Sequence, residues 1–126
     1  MARILIVDDE AHIRLLLEQT LEDLEDDGVE LIMAGDGVEA LEIIRAERPD
    51  LVFLDVMMPK MSGFDVCRAV KDDQTLDGVY IALLTAKGQE SEKNRGMDAG
   101  ADSYLTKPFN PDEILAMARK ILGLEE

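Results

Sequence analysis

Short apolar runs alternate with longer segments whose apolar residues recur at helical spacing, five times along the chain. Arg3 to Val7 is the first run, closed by Asp8-Asp9. Glu10 to Leu24 then sets Ile13, Leu16, Leu17, Leu21 and Leu24 on one face, and Gly28 stops that helix. Val29 to Ala34 predicts the second strand. Asp36 can cap a helix that carries Val38, Leu41 and Ile44 and ends before Pro49. Leu51 to Leu54 is continuously hydrophobic, as a strand covered on both faces is, and ends at Asp55. A loop with Pro59 and Gly63 leads to a helix with Phe64, Cys67 and Val70, where Ser62 and Asp65 have capping-box spacing. Val79 to Leu84 predicts a buried strand ending at Thr85. The helix around Gln89 to Ala99 is unusually polar, with Met97 its main apolar residue. Ser103 to Leu105 predicts a fifth strand, followed by Lys107-Pro108. Asn110, Pro111, Asp112 and Glu113 open a last helix whose apolar face is Ile114, Leu115, Ala118, Ile121 and Leu122.

This (βα)5 pattern predicts an α/β fold: a doubly wound, five-stranded parallel sheet with helices on both faces. Ligands of such sheets bind outside the carboxyl ends of the strands. The strand ends read Asp8-Asp9, nothing notable at Ala34, then Asp55, Thr85 and Lys107. The second strand, without a polar end, is expected to be the outer one.

Three carboxylates would therefore converge. Two of them about 4 Å apart repel by roughly 1 kcal/mol in water and by more where the site is dry. Lys107 offsets part of this. A hard divalent cation offsets the rest, and Mg²⁺ characteristically uses one or two carboxylates, waters and a substrate phosphate. Zinc is disfavoured, since Cys67 stands alone and His12 has no ligand neighbours at metal spacing. A carboxylate beside Mg²⁺, a hydroxyl and an ammonium are the parts of phosphoryl transfer. Asp55 ends the most buried strand and is the expected nucleophile. Asp8 and Asp9 are expected to hold the metal, while Thr85 and Lys107 stabilise charge on the phosphoryl oxygens. Each residue alone has a plainer role as a cap, a turn or a solvated charge. Their joint occurrence at four strand ends carries the weight.

Composition narrows the classes. The chain has 126 residues, of which 47% are hydrophobic, which suits one packed domain over residues 1–126. A net charge of −15 argues against direct binding to nucleic acid or to an anionic membrane surface. One cysteine forms no internal disulfide, no apolar run approaches roughly 18 residues, and the chain enters its first strand at once. A soluble, cytoplasmic domain is expected.

Val7-Asp8-Asp9-Glu10, the segment from Leu54-Asp55 to Ser62-Gly63, Leu84-Thr85-Ala86 and Gly100-Ala101-Asp102-Ser103-Tyr104-Leu105-Thr106-Lys107-Pro108-Phe109 together resemble the receiver domain of two-component response regulators, over essentially the whole chain. The resemblance implies a flavodoxin-like fold and a phosphorelay switch that takes its phosphoryl group from a sensor histidine kinase or a histidine phosphotransfer protein. Asp55 matches the phosphoacceptor, and Asp8 and Asp9 match the acidic pair that binds Mg²⁺ with the Met57 backbone carbonyl. Thr85 and Tyr104 match the switch pair, and Lys107-Pro108 matches a bond commonly cis in the family. No organic cofactor is implied. An output protein or output domain would read the helix 89–99, the Tyr104 strand and the last helix. Met57 and Lys87 stand at positions that tune the lifetime of the acyl phosphate, and at most slow autodephosphorylation is expected. The competing class is an Mg²⁺-dependent phosphohydrolase that forms an aspartyl phosphate; such enzymes usually carry Asp-x-Asp on the nucleophile strand, whereas residue 57 is Met. A flavodoxin-type cofactor binder is disfavoured because Asp8-Asp9-Glu10 would repel the FMN phosphate. A degenerate receiver is disfavoured by the intact residue set.

Overall fold

The computed structural model describes residues 2–86 and 89–124. Five strands, β1 (Arg3–Val7), β2 (Glu30–Ala34), β3 (Leu51–Asp55), β4 (Tyr80–Ala86) and β5 (Ser103–Lys107), form one sheet in the order β2-β1-β3-β4-β5. Every pairing is parallel. Five helices cover it: α1 (Ala11–Leu21), α2 (Gly37–Glu47), α3 (Gly63–Lys71), α4 (Glu90–Asp98) and α5 (Pro111–Ile121). The second strand is an outer one, as its apolar end suggests, and β5 forms the other edge.

Alternation along the strands builds two cores. Leu5, Val7, Val52, Leu54, Ile81 and Leu83 pack toward α2 and α3, among Leu41, Ile44, Val66 and Cys67. Ile4, Ile6, Leu51, Phe53, Ala82 and Leu84 face α1 and α5, among Leu17, Leu21, Ile114 and Ala118. Strands covered on both faces need unbroken hydrophobic runs, and β3 is buried at all five positions. The expected caps form: the side chains of Asp36, Ser62 and Asn110 accept from the backbone N–H of Glu39, Asp65 and Asp112.

Two details differ from the sequence pattern. A single helix from Glu10 to Leu24 is not formed; α1 ends at Leu21, and Glu22–Asp27 continue as a 3₁₀ segment up to Gly28, at φ 84°. Its acidic residues oppose the helix dipole, while Leu24 stays buried. Leu16 and Val38 stand at the edge of their helical faces and remain exposed. Met97, the main apolar residue of α4, is 49% exposed, and the buried residue there is Gly96, where a Cβ would collide with the Leu83 side chain. Among the described residues, no helix is long and apolar enough to cross a membrane.

Candidate functional site

β1 lies between β2 and β3, so the chain leaves it toward one side to reach β2 and returns on the other. Such a reversal opens a crevice at the carboxyl ends of the two central strands. Val7 of β1 pairs with Leu54 of β3, so Asp8, just past the end of β1, and Asp55, the last residue of β3, follow side by side. Gly63 makes the floor possible: a Cβ there would strike the Asp55 carbonyl oxygen, and its N–H donates to the Val56 carbonyl at 2.9 Å.

Asp8 is fully buried. Its Oδ1 accepts from the Glu10 N–H at 3.0 Å and its Oδ2 accepts from Lys107 Nζ at 2.8 Å. The same ammonium donates to Asp55 Oδ1 at 3.2 Å. Asp9 is exposed, yet one carboxylate oxygen from each of Asp8, Asp9 and Asp55 lies within 4.8 Å of the others. The sequence therefore located these four residues correctly at one sheet edge, and the structure brings them into one group. A cavity of about 290 Å³ opens over them, lined by Asp9, Glu10, Asp55, Val56, Met57, Ala86, Glu92 and Lys107. The Met57 side chain is 65% exposed at its rim.

Electrostatics follow from this crowding. Burial pushes the Asp55 carboxyl up to about 6, the Asp8 charge acts in the same direction, and Lys107 counters only in part. Burial would lower Lys107, but its bonds to Asp8 and the charge of Asp55 outweigh that and hold it raised. One ammonium shared by two carboxylates leaves the group short of positive charge. Three oxygen donors, no nitrogen or sulfur ligand, and unrelieved negative charge suit a hard, hydrated divalent cation.

Thr85 is buried at the end of β4, but its hydroxyl donates to the Leu105 carbonyl at 3.3 Å, toward β5 and not toward Asp55. That length marks a weak bond for a hydroxyl donor. Tyr104 is half-buried, with Lys93 Nζ 4.7 Å from its ring centre. Thr85, Tyr104 and Lys93 line a second cavity of about 130 Å³. The Lys107–Pro108 bond is cis. Lys87 lies outside the described residues.

Two contributors escaped the sequence reading. Arg14 on α1 donates from Nη1 to the Asp8 carbonyl at 2.6 Å. Glu92 on α4 accepts at Oε1 from the Ala86 N–H at 3.1 Å, inside the cavity wall. Only the acidic first turn of a helix following Thr85 hinted at Glu92. His12 is a surface residue beside Glu10, 3.3 Å away. Cys67 is buried and its thiol is pushed up to about 11, which makes it inert.

The response regulator receiver domain family model matches residues 4–119. The chain is 47% identical over 120 residues to the response regulator MprA of Mycobacterium ulcerans (strain Agy99), covering 95% of this chain and 50% of the relative. It is 44% identical over 124 residues to the alkaline phosphatase synthesis transcriptional regulatory protein PhoP of Bacillus subtilis (strain 168), covering 98% and 50%. The chain thus spans about half the length of these curated relatives. A crystal structure of a putative response regulator from Chloroflexus aurantiacus J-10-fl superposes with a TM-score of 0.86 at 36% identity, covering 97% of this chain and 98% of the other. With its flavodoxin-like order of strands and its carboxylates gathered at the switch point, the chain belongs to the response regulator receiver domain family.

Proposed function

We propose that Asp55 is the phosphoacceptor of a signalling switch, within a single receiver domain over residues 1–126. The observation that carries this reading is the convergence of Asp8, Asp9 and Asp55 on one cavity, with Lys107 divided between two of them. A carboxylate oxygen of Asp55 attacks the phosphorus of a phosphohistidine; the P–O bond forms as the P–N bond breaks, and its electron pair stays on the departing imidazole. Burial strips water from the nucleophile and raises its carboxyl to about 6, which still leaves it mostly charged at pH 7. Lys107 stands within reach of the phosphoryl oxygens. Asp8, Asp9, Asp55 and the Met57 carbonyl would hold Mg²⁺, which when bound neutralises charge on those oxygens. Thr85 turns its weakly held hydroxyl from Leu105 to the new anion, and Tyr104 responds through the cavity they share.

The donor is a sensor histidine kinase or a phosphotransfer protein, and the site of action is the cytoplasm. The output protein or domain reads α4, β5 and α5. No direct contact with nucleic acid or membrane is part of this reading, in keeping with a net charge of −15. A turnover phosphohydrolase would need a second acid two residues beyond Asp55, where Met57 stands; the domain is a switch with at most slow autodephosphorylation.

Incubation with Mg²⁺ and acetyl phosphate, followed by intact mass, tests this. The expected result is one added phosphoryl group, lost in Asp55→Asn and sharply reduced in Asp8→Asn or by chelation. Equal labelling of Asp55→Asn would overturn the assignment. Hydrolysis of p-nitrophenyl phosphate far beyond one equivalent would favour the phosphohydrolase.

A further inference from the structure

We propose that Glu92 is a built-in competitor for the phosphoryl group: its carboxylate occupies the Ala86 N–H in the wall of the Asp55 cavity until an anion on Asp55 displaces it. The proposal rests on the reading of Asp55 as acceptor and adds a residue to it. Glu92 Oε1 accepts from the Ala86 N–H at 3.1 Å. Glu92, Ala86, Asp55 and Lys107 line one cavity, and Ala86 is the register partner of Lys107 across β4 and β5. The donor thus stands beside the lysine that reaches Asp55. Glu92 does not cap its own helix; Gln89 precedes α4 without a side-chain cap, and Glu92 reaches back over the strand end instead.

A carboxylate and a phosphoryl oxygen are the same kind of partner for a backbone N–H, and one N–H serves one of them well. The cavity wall already carries Asp9, Glu10, Asp55 and Glu92 against Lys107. Phosphorylation adds roughly 1.5 to 2 negative charges there. Repulsion and competition then act on Glu92 together. Because Glu92 sits in the first turn of α4, its release frees the start of that helix. Coupling between two sites is reciprocal, so whatever an anion on Asp55 does to Glu92, Glu92 does to the anion. Removing a competitor tightens anion binding. Removing a residue that merely supports the fold leaves it unchanged or weakens it.

Beryllofluoride with Mg²⁺, titrated calorimetrically into the full chain, reads this sign directly. Glu92→Ala is expected to bind beryllofluoride about five- to tenfold more tightly, and Glu92→Gln, which keeps an acceptor but loses the charge, falls between. Amide exchange over residues 90–98 of the unliganded Glu92→Ala protein is expected to rise toward that of the liganded wild type. Unchanged or weaker affinity in a folded Glu92→Ala protein overturns the proposal; if that variant unfolds, an affinity of Glu92→Gln at or below wild type does the same. Wild type that gains a phosphoryl group on Asp55 while the variants bind beryllofluoride as it does leaves the acceptor reading intact and ends this one. Wild type that gains none ends both.

Discussion

α4 and α5 flank β5, yet they are held by different physics. α5 starts with Pro111, its Asn110 side chain accepts from the Asp112 N–H at 2.8 Å, and it buries Ile114 and Ala118. Asp112 and Glu113 at its start and Arg119 and Lys120 at its end complement the helix dipole. Burying one large aliphatic side chain is worth about 1.5–3 kcal/mol, irrespective of nearby charge. α4 buries only Gly96 and has no side-chain cap. Its attachments are Arg95 over the Phe64 ring at 4.2 Å, Lys93 over the Tyr104 ring, and Glu92 on Ala86. Exposed cation–π contacts and single hydrogen bonds contribute about 0.5–1.5 kcal/mol each, and all of these respond to charge. If the pocket gains charge as proposed, a helix held by charge is the element expected to move, and its apolar neighbour the frame it moves against.

The largest expected effect tests the frame. Ile114→Ala should cost about 2–5 kcal/mol, read as a shift in urea midpoint, whereas Met97→Ala on α4 should stay within about 0.5 kcal/mol. Equal costs would erase the contrast between the two helices.

Next comes the pocket. Asp55 folds with its carboxyl near 6, against roughly 3.9 in an unfolded chain. The folded state therefore keeps its proton longer than the unfolded state. Stability falls as pH rises from about 4 to about 6, and above that the full penalty is present. Asp55→Asn should remove this slope and stabilise the Mg²⁺-free protein at pH 7 by about 2 kcal/mol, measured as denaturation midpoint against pH. Added Mg²⁺ should stabilise the wild type and have little effect on the variant.

A smaller effect tests the attachment of α4. Arg95→Met should cost about 0.5–1 kcal/mol and speed amide exchange in α4 while leaving α5 protected. Exchange rising equally in both helices would mean that they form one unit. Smallest is the effect expected of Met57 at the cavity rim, where on the proposed reading a bulky apolar side chain would hinder the water that cleaves the acyl phosphate. Met57→Asn should shorten the phosphorylated lifetime a few-fold, a change of about 1 kcal/mol or less in barrier; an unchanged or longer lifetime would reject that role.

Much of this contrast was legible in the residues. The polar stretch from Gln89 to Ala99 against the capped, amphipathic stretch from Asn110 already separates a loosely held helix from a firm one. Caps are local, so Asp36, Ser62 and Asn110 could be read directly. The 3₁₀ end of α1 was harder, because Leu24 keeps helical spacing while the acidic residues around it work against the helix. The close approach of α4 to the sheet was not legible: Gly96 is its buried residue, set where a Cβ would press on the end of the Leu83 side chain, and that contact exists only once β4 and α4 have packed.

Sequence alone determined the order of strands and helices and put Asp8, Asp9, Asp55, Thr85 and Lys107 at strand ends, because periodicity and capping act over a few neighbouring residues. Only the tertiary structure decided how their charges are shared: Lys107 divided between Asp8 and Asp55, the Thr85 hydroxyl turned to Leu105, and Glu92 reaching back to Ala86. Hydrogen bonds and Coulomb forces depend on a few ångströms of space and on rotamer, and residues 99 and 52 positions apart along the chain meet only once the sheet has closed.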